Sequence, residues 1–116
     1  MDTDKFQAEL RAFVRERDWE KFHTPKNLAM ALAGEAGELL EIFQWLTAEE
    51  SASVMQDPKK ALSVRDEIAD VVVYCLRLSD VLKIDLGAAI KDKMKRNAEK
   101  YPAELARGKA VKYTDL

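Results

Sequence analysis

Apolar residues recur at three- and four-residue spacing along most of the chain, and no stretch alternates long enough to make a strand. That pattern predicts an all-α protein. A first helix is expected from an N-cap at Thr3 or Asp4 to about Arg17, with Phe6, Leu10, Phe13 and Val14 as its apolar stripe. Residues 18–27, "DWEKFHTPKN", break the period and predict an ordered loop rich in aromatic and polar groups. Thr24 followed by Pro25 is an N-cap with proline at the first helical position, so a second helix should run from there to about Leu46. Thr47 and Glu50 form a capping-box pattern for a short helix to about Met55. Asp57-Pro58 repeats the start signal for a third long helix to about Leu82, and Asp85 caps a fourth from Leu86 to about Lys100, stopped by Tyr101-Pro102. Residues 103–116 should pack loosely or against a partner chain. The expectation is a single domain over residues 1–116, a four-helix bundle with a short connecting helix.

Two of these helices carry charge where their apolar content leaves little room for it. Residues 67–78, "EIADVVVYCLRL", hold Glu67 and Asp70 three residues apart on one helical face, which continues onto Tyr74. Residues 28–46, "LAMALAGEAGELLEIFQWL", hold Glu35 and Glu38 in the same relation, on a face continuing onto Ile42 and Trp45. Most charge pairs on helices sit on a solvated stripe or pair with lysine or arginine. Here Val71, Val72 and Val73 follow Asp70 directly, and Arg77 lies two turns away. If the two helices pack antiparallel, the acid pairs face each other and need compensation.

Composition narrows what that compensation can be. With 47% hydrophobic and 34% charged residues the chain suits a soluble, helix-rich domain, and a net charge of −2 gives no general attraction to a nucleic-acid polymer. No apolar run is long enough to span a membrane, and no basic start followed by an apolar run suggests a signal peptide. One cysteine, Cys75, cannot form an internal disulfide and fits a buried thiol in a reducing, cytoplasmic setting. The acid cluster contains neither cysteine nor histidine, and hard oxygen ligands suit Mg²⁺, with Mn²⁺ or Ca²⁺ as alternatives. The lone histidine, His23, lies outside any Glu-x-x-His pair, which argues against a di-iron bundle. Gly34 and Gly37 precede the two glutamates and serve either close helix packing or the approach of a ligand.

In their order along the chain, "RDWEKFH" (17–23), "LAGEAGELLEIFQW" (32–45), "DEIADVVVY" (66–74) and "KMKRNAEKYP" (93–102) resemble the MazG-type nucleoside triphosphate pyrophosphohydrolases of the all-α NTP pyrophosphatase superfamily, most closely the dCTP pyrophosphatase-like branch. The resemblance implies Mg²⁺-dependent hydrolysis of a (deoxy)nucleoside triphosphate to the monophosphate and pyrophosphate, in nucleotide-pool sanitation. It implies Glu35, Glu38, Glu67 and Asp70 as metal ligands. Water would attack the α-phosphorus with Glu35 or Glu38 as general base, a choice the sequence leaves open. Trp19, His23, Trp45 and Tyr74 would form the base and sugar pocket, with Lys93 and Asn97 near phosphate and sugar and Tyr101 along the same region. Phe22 adds a further flat surface for stacking beside Trp19. Lys93, Arg96 and Lys100 could form a basic edge. The family also implies a homodimer or homotetramer whose pocket is completed across a subunit interface. Leu10 occupies the position where some eukaryotic members carry histidine, which bears on base preference rather than on the chemistry. Two rival readings stay open: a non-catalytic helical oligomerisation or regulatory module that binds ions structurally, and the same scaffold acting on dUTP or a phosphoribosyl nucleotide.

Overall fold

The computed structural model describes residues 1–116, and every regular element in it is helical. The chain forms two compact units, Met1–Lys83 and Ile84–Leu116.

The first unit holds α1 (Thr3–Glu16), α2 (Pro25–Phe43), the short α3 (Ala48–Ala52) and α4 (Pro58–Val81). The start signals work as their chemistry requires. Thr24 accepts from the Asn27 amide, Asp57 from the Lys59 and Lys60 amides, and Thr47 and Glu50 exchange both bonds of a capping box. At α1 the cap is Asp2, one residue before the expected range, accepting from the Lys5 amide at 3.0 Å. The loop between α1 and α2 turns through Asp18 in a left-handed conformation (φ 54°) and a 3₁₀ turn over Glu20–Phe22. Asn27 fastens it by donating to the Phe22 carbonyl at 3.0 Å.

α2 lies along α4, and residue pairs on the two helices fix their direction. Glu35 meets Glu67, while His23, just before α2, meets Arg77. Moving back along one helix moves forward along the other, so the pair is antiparallel, as anticipated. The core is small: Val14, Leu28, Val54, Val64 and Leu76 are the buried apolar residues. Cys75 is half-buried.

Two expectations for this unit need correction. Phe6 and Phe13 are exposed, and the residue of α1 buried against α4 together with Val14 is Gln7. Its amide nitrogen donates to the Leu76 carbonyl at 3.0 Å and lies 3.3 Å from the Ser79 hydroxyl, which is why a polar side chain is tolerated there. The expectation that α2 reaches Leu46 also fails. It ends at Phe43, and Trp45 just beyond it stands 86% exposed, beside Ile42 and facing Lys60 and Ser63 of α4 across a groove.

The second unit holds α5 (Leu86–Lys100), capped by Asp85 accepting from the Ala88 amide, and a short α6 (Ala103–Ala106). Its tail folds back on the unit. The Tyr113 amide donates to the Tyr101 hydroxyl at 3.2 Å, and the two rings meet edge to face at 6.0 Å.

Candidate metal centre

α2 and α4 bring Glu35, Glu38 and Glu67 together, each with one carboxylate oxygen within 4.8 Å of the others. Glu35 and Glu67 are half-buried and Glu38 is exposed. Oε2 of Glu35 and Oε2 of Glu67 are buried without a hydrogen-bond partner. Such orphan acceptors are costly, and carboxylates facing one another share a hydrogen bond only if one carries a proton. Accordingly the Glu35 carboxyl is pushed up to about 7 by desolvation, by hydrogen bonding with Glu67 and Glu38, and by the charges of Glu38 and Asp70. Glu67 is raised as well, first by desolvation and then by Glu38 and Asp70, against a hydrogen bond with Glu35 that pulls it down. No salt bridge reaches any of the three.

Asp70 sits one turn beyond Glu67, exposed, outside the trio itself but adding its field to both half-buried glutamates. Three carboxylates, two of them with unused inward lone pairs, form an all-oxygen donor set suited to a hard divalent cation. Gly34 and Gly37 stand beside this set, and a methyl group at either would meet nothing within 4 Å. Close packing inside the chain is therefore not their reason; the space beside the acids is open.

The other expected site residues spread over both units. Tyr74 is half-buried on α4, one turn after Asp70. Trp19 is 43% exposed and rests edge-on against Phe13 at 5.9 Å, and Phe22 is exposed with the Lys21 ammonium 5.4 Å above its ring. His23 is engaged within the chain, where its Nδ1 accepts from Arg77 Nε at 3.3 Å. Burial and the Arg77 charge hold it below its usual pKa, so the ring is neutral. Lys93 and Asn97 lie four residues apart on one exposed face of α5, and Tyr101 caps that helix's C-terminus.

Sequence reasoning did not anticipate the buried Arg77 or the network around it. Arg77 belongs to the apolar run on α4, and the only clue was Asp80 at i+3. Asp80 receives Arg11 Nη1 at 2.8 Å and stands 3.6 Å from Arg77 Nη1.

Residues 31–116 match the MazG-like family. The chain is 45% identical to dCTP pyrophosphatase 1 of Rattus norvegicus and 44% identical to that of Homo sapiens, in each case over 99% of this chain and 66% of the relative. It thus spans just under two thirds of the length of these relatives. The crystal structure of a pyrophosphatase from Archaeoglobus fulgidus superposes with a TM-score of 0.81 at 43% identity, covering 88% of this chain and 94% of that one.

Proposed function

The chain belongs to the MazG-like family, and from that premise we propose that it is a nucleoside triphosphate pyrophosphohydrolase. Its substrate is dCTP or a related or modified deoxynucleotide, and its products are the monophosphate and pyrophosphate. The names of the mammalian and archaeal relatives support this reaction class. The single observation that carries it is the pair of buried, unpartnered oxygens on Glu35 and Glu67 inside an all-oxygen trio. That donor set fits Mg²⁺, with Mn²⁺ able to replace it. Glu35, Glu38, Glu67 and Asp70 would hold the ion. When bound, the ion supplies Lewis-acid charge to the phosphate oxygens and to the attacking water.

The chain's own residues do the rest. Glu35 or Glu38 would act as the general base toward the attacking water. Trp19, Phe22, Trp45 and Tyr74 offer flat surfaces for base and sugar, each worth about 1–3 kcal/mol if it stacks. His23, neutral, presents a hydrogen-bonding edge to the same region. On the family resemblance, Lys93, Asn97 and Tyr101 of the second unit are the candidates for phosphate and sugar contacts.

Self-association completes this reading. Met30 (64% exposed), Leu40 (61%), Leu62 (57%) and Ile68 (48%) leave apolar surface on α2 and α4, and the open space beside Gly34 and Gly37 is continuous with α2. A second copy of the chain would cover such surface, as a dimer or a tetramer. No helix is long and apolar enough to cross a membrane, and a cytoplasmic nucleotide pool is the setting the reading requires.

The test is a panel of dCTP, dUTP, other deoxynucleotides and a phosphoribosyl nucleotide, each with Mg²⁺, with pyrophosphate release as readout. Release from dCTP above the others supports the reading. A folded chain that releases pyrophosphate from none of them is an ion-binding helical module instead.

A further inference from the structure

At the end of the α2–α4 pair away from the acid trio, the first unit forms an open groove of about 490 Å³, lined by Arg11, Arg15, Glu20, His23, Arg77, Asp80, Val81 and Lys83. Arg77 is ten residues beyond Glu67 on the same helix, which is about 15 Å along the axis. Four cationic side chains meet only two acids there. Arg15 spends its charge on Glu20 at 3.3 Å, and Arg11 on Asp80 at 2.8 Å. Arg77 then shares Asp80 at 3.6 Å, outside hydrogen-bond geometry, and Lys83 pairs with no acid.

Arg77 is the informative member. Its side chain is only 7% exposed, yet it makes one hydrogen bond in the chain, from Nε to His23 Nδ1. Nη1 stands 3.6 Å from Asp80, and the side chain is part of the groove's lining. A guanidinium with little exposure, whose terminal donors are not all used within the chain, can take a further acceptor from the groove. The neutral His23 cannot supply a negative charge. It fixes the plane of the guanidinium, so that the remaining fork points one way. A planar fork beside a lysine ammonium is the donor arrangement that suits a phosphate-class oxyanion. The volume exceeds what a bare phosphate fills and lies in the range of small-molecule sites.

We propose that this groove binds a phosphate-class oxyanion, held by Arg77 and Lys83 with Arg11 and Arg15 at its rim and His23 as the residue that positions Arg77. The site is independent of the metal reading and stands or falls without it. The ligand is either a free phosphate or pyrophosphate ion or the phosphoryl group of a small molecule such as a nucleotide.

Lys83 makes a clean test possible. Its backbone is left-handed (φ 57°), so Lys83→Gly removes a cation and relieves strain at once, and lost binding cannot be blamed on lost folding. The experiment is calorimetric titration of the full chain with inorganic pyrophosphate, and separately with a nucleoside monophosphate, in metal-free buffer containing chelator. Saturable binding at one per chain is expected, weakening as salt is raised. Affinity should drop roughly tenfold or more in Arg77→Met and in Lys83→Gly, the scale of one lost charge-assisted pair. It should hold in the Glu35→Gln/Glu67→Gln double variant. Equal affinity for both ligands identifies the free oxyanion as sufficient, and tighter binding of the monophosphate identifies a nucleotide site. Absence of binding, unchanged affinity in Arg77→Met, or loss in the acid double variant overturns the proposal. If Arg77→Met does not fold, Lys83→Gly decides on the same criterion.

Discussion

The two ends of the α2–α4 pair carry opposite charge problems and solve them differently. Around Glu35, Glu38 and Glu67 there is only negative charge, and no basic side chain comes within salt-bridge reach. Around Arg77 the positive charge is compensated only in part from within the chain, by Asp80, which also binds Arg11, while Glu20 compensates Arg15 and Lys83 has no acid. The compensated part of this cluster holds the fold together: it ties α1, the following loop and α4 at one point. A cluster left uncompensated in a packed helix pair costs stability and persists where an ion or substrate supplies what the chain does not. The contrast assigns the metal and the hydrolytic chemistry to the acidic end, and to the other end a network that both ties the fold and leaves positive charge over.

The largest effect expected is on the acidic end. Glu67→Gln keeps shape and removes charge, and should lower kcat/KM for pyrophosphate release on the order of 10²–10³-fold or more, the scale of losing one preorganised charge-stabilising group. Helical circular dichroism should stay intact. The same change should raise Tm by roughly a few degrees in metal-free buffer, because it removes one of the crowded like charges. Full activity in this variant would erase the distinction between the two ends.

The matching change at the other end is Asp80→Asn. It strands a buried guanidinium and should destabilise the first unit by roughly 1.5–3 kcal/mol in denaturant unfolding, the worth of hydrogen bonds to charged groups. An unchanged midpoint would mean that the Arg11–Asp80–Arg77 network does not hold the fold.

The pH dependence sharpens the contrast. In the metal-free chain the Glu35 carboxyl titrates near 7 against an ordinary 4.5, so the folded state holds this proton more tightly than the unfolded one. Stability should therefore rise as pH falls through 7, and this contribution is complete below 4.5. Mg²⁺ competes for the same oxygens, so the rise in Tm it produces should shrink over the same window. A flat Tm between pH 8 and pH 5.5 without metal, with a constant Mg²⁺ shift, would contradict the crowding of these carboxylates.

The smallest effect separates the glycines from packing. Gly34→Ala adds a methyl into open space on a helix and should stabilise the chain by about 0.5–1 kcal/mol. If that space serves substrate or a second copy of the chain, activity or self-association falls while stability rises. Unchanged turnover and assembly would leave Gly34 without a role.

Much of the molecule was legible in the sequence, for reasons local to each residue. Thr24, Thr47, Asp57 and Asp85 announce helix starts because a cap is a bond between neighbours. The acid pairs were legible because three-residue spacing fixes a face. The arginine network was not, because its partners are remote: Arg11 meets Asp80 and His23 meets Arg77 only once α1 and the loop close on α4. Phe6 and Phe13 misled for the related reason that periodicity marks an apolar stripe without saying whether anything covers it. Gln7 took the buried place because Leu76 and Ser79 offer its amide partners that no reading of α1 alone could supply. The end of α2 was read three residues late because the helix stops at Phe43 without a glycine or proline to announce it.

Everything proposed for the acidic end turns on whether the trio of glutamates holds the ion that directs hydrolysis between the α- and β-phosphates. Phosphorus NMR of dCTP incubated with the folded chain and Mg²⁺, run beside Glu67→Gln, tests it most directly. Equal amounts of monophosphate and pyrophosphate are expected from the unmodified chain and neither from the variant. Diphosphate with inorganic phosphate, or the same products from both proteins, would contradict it.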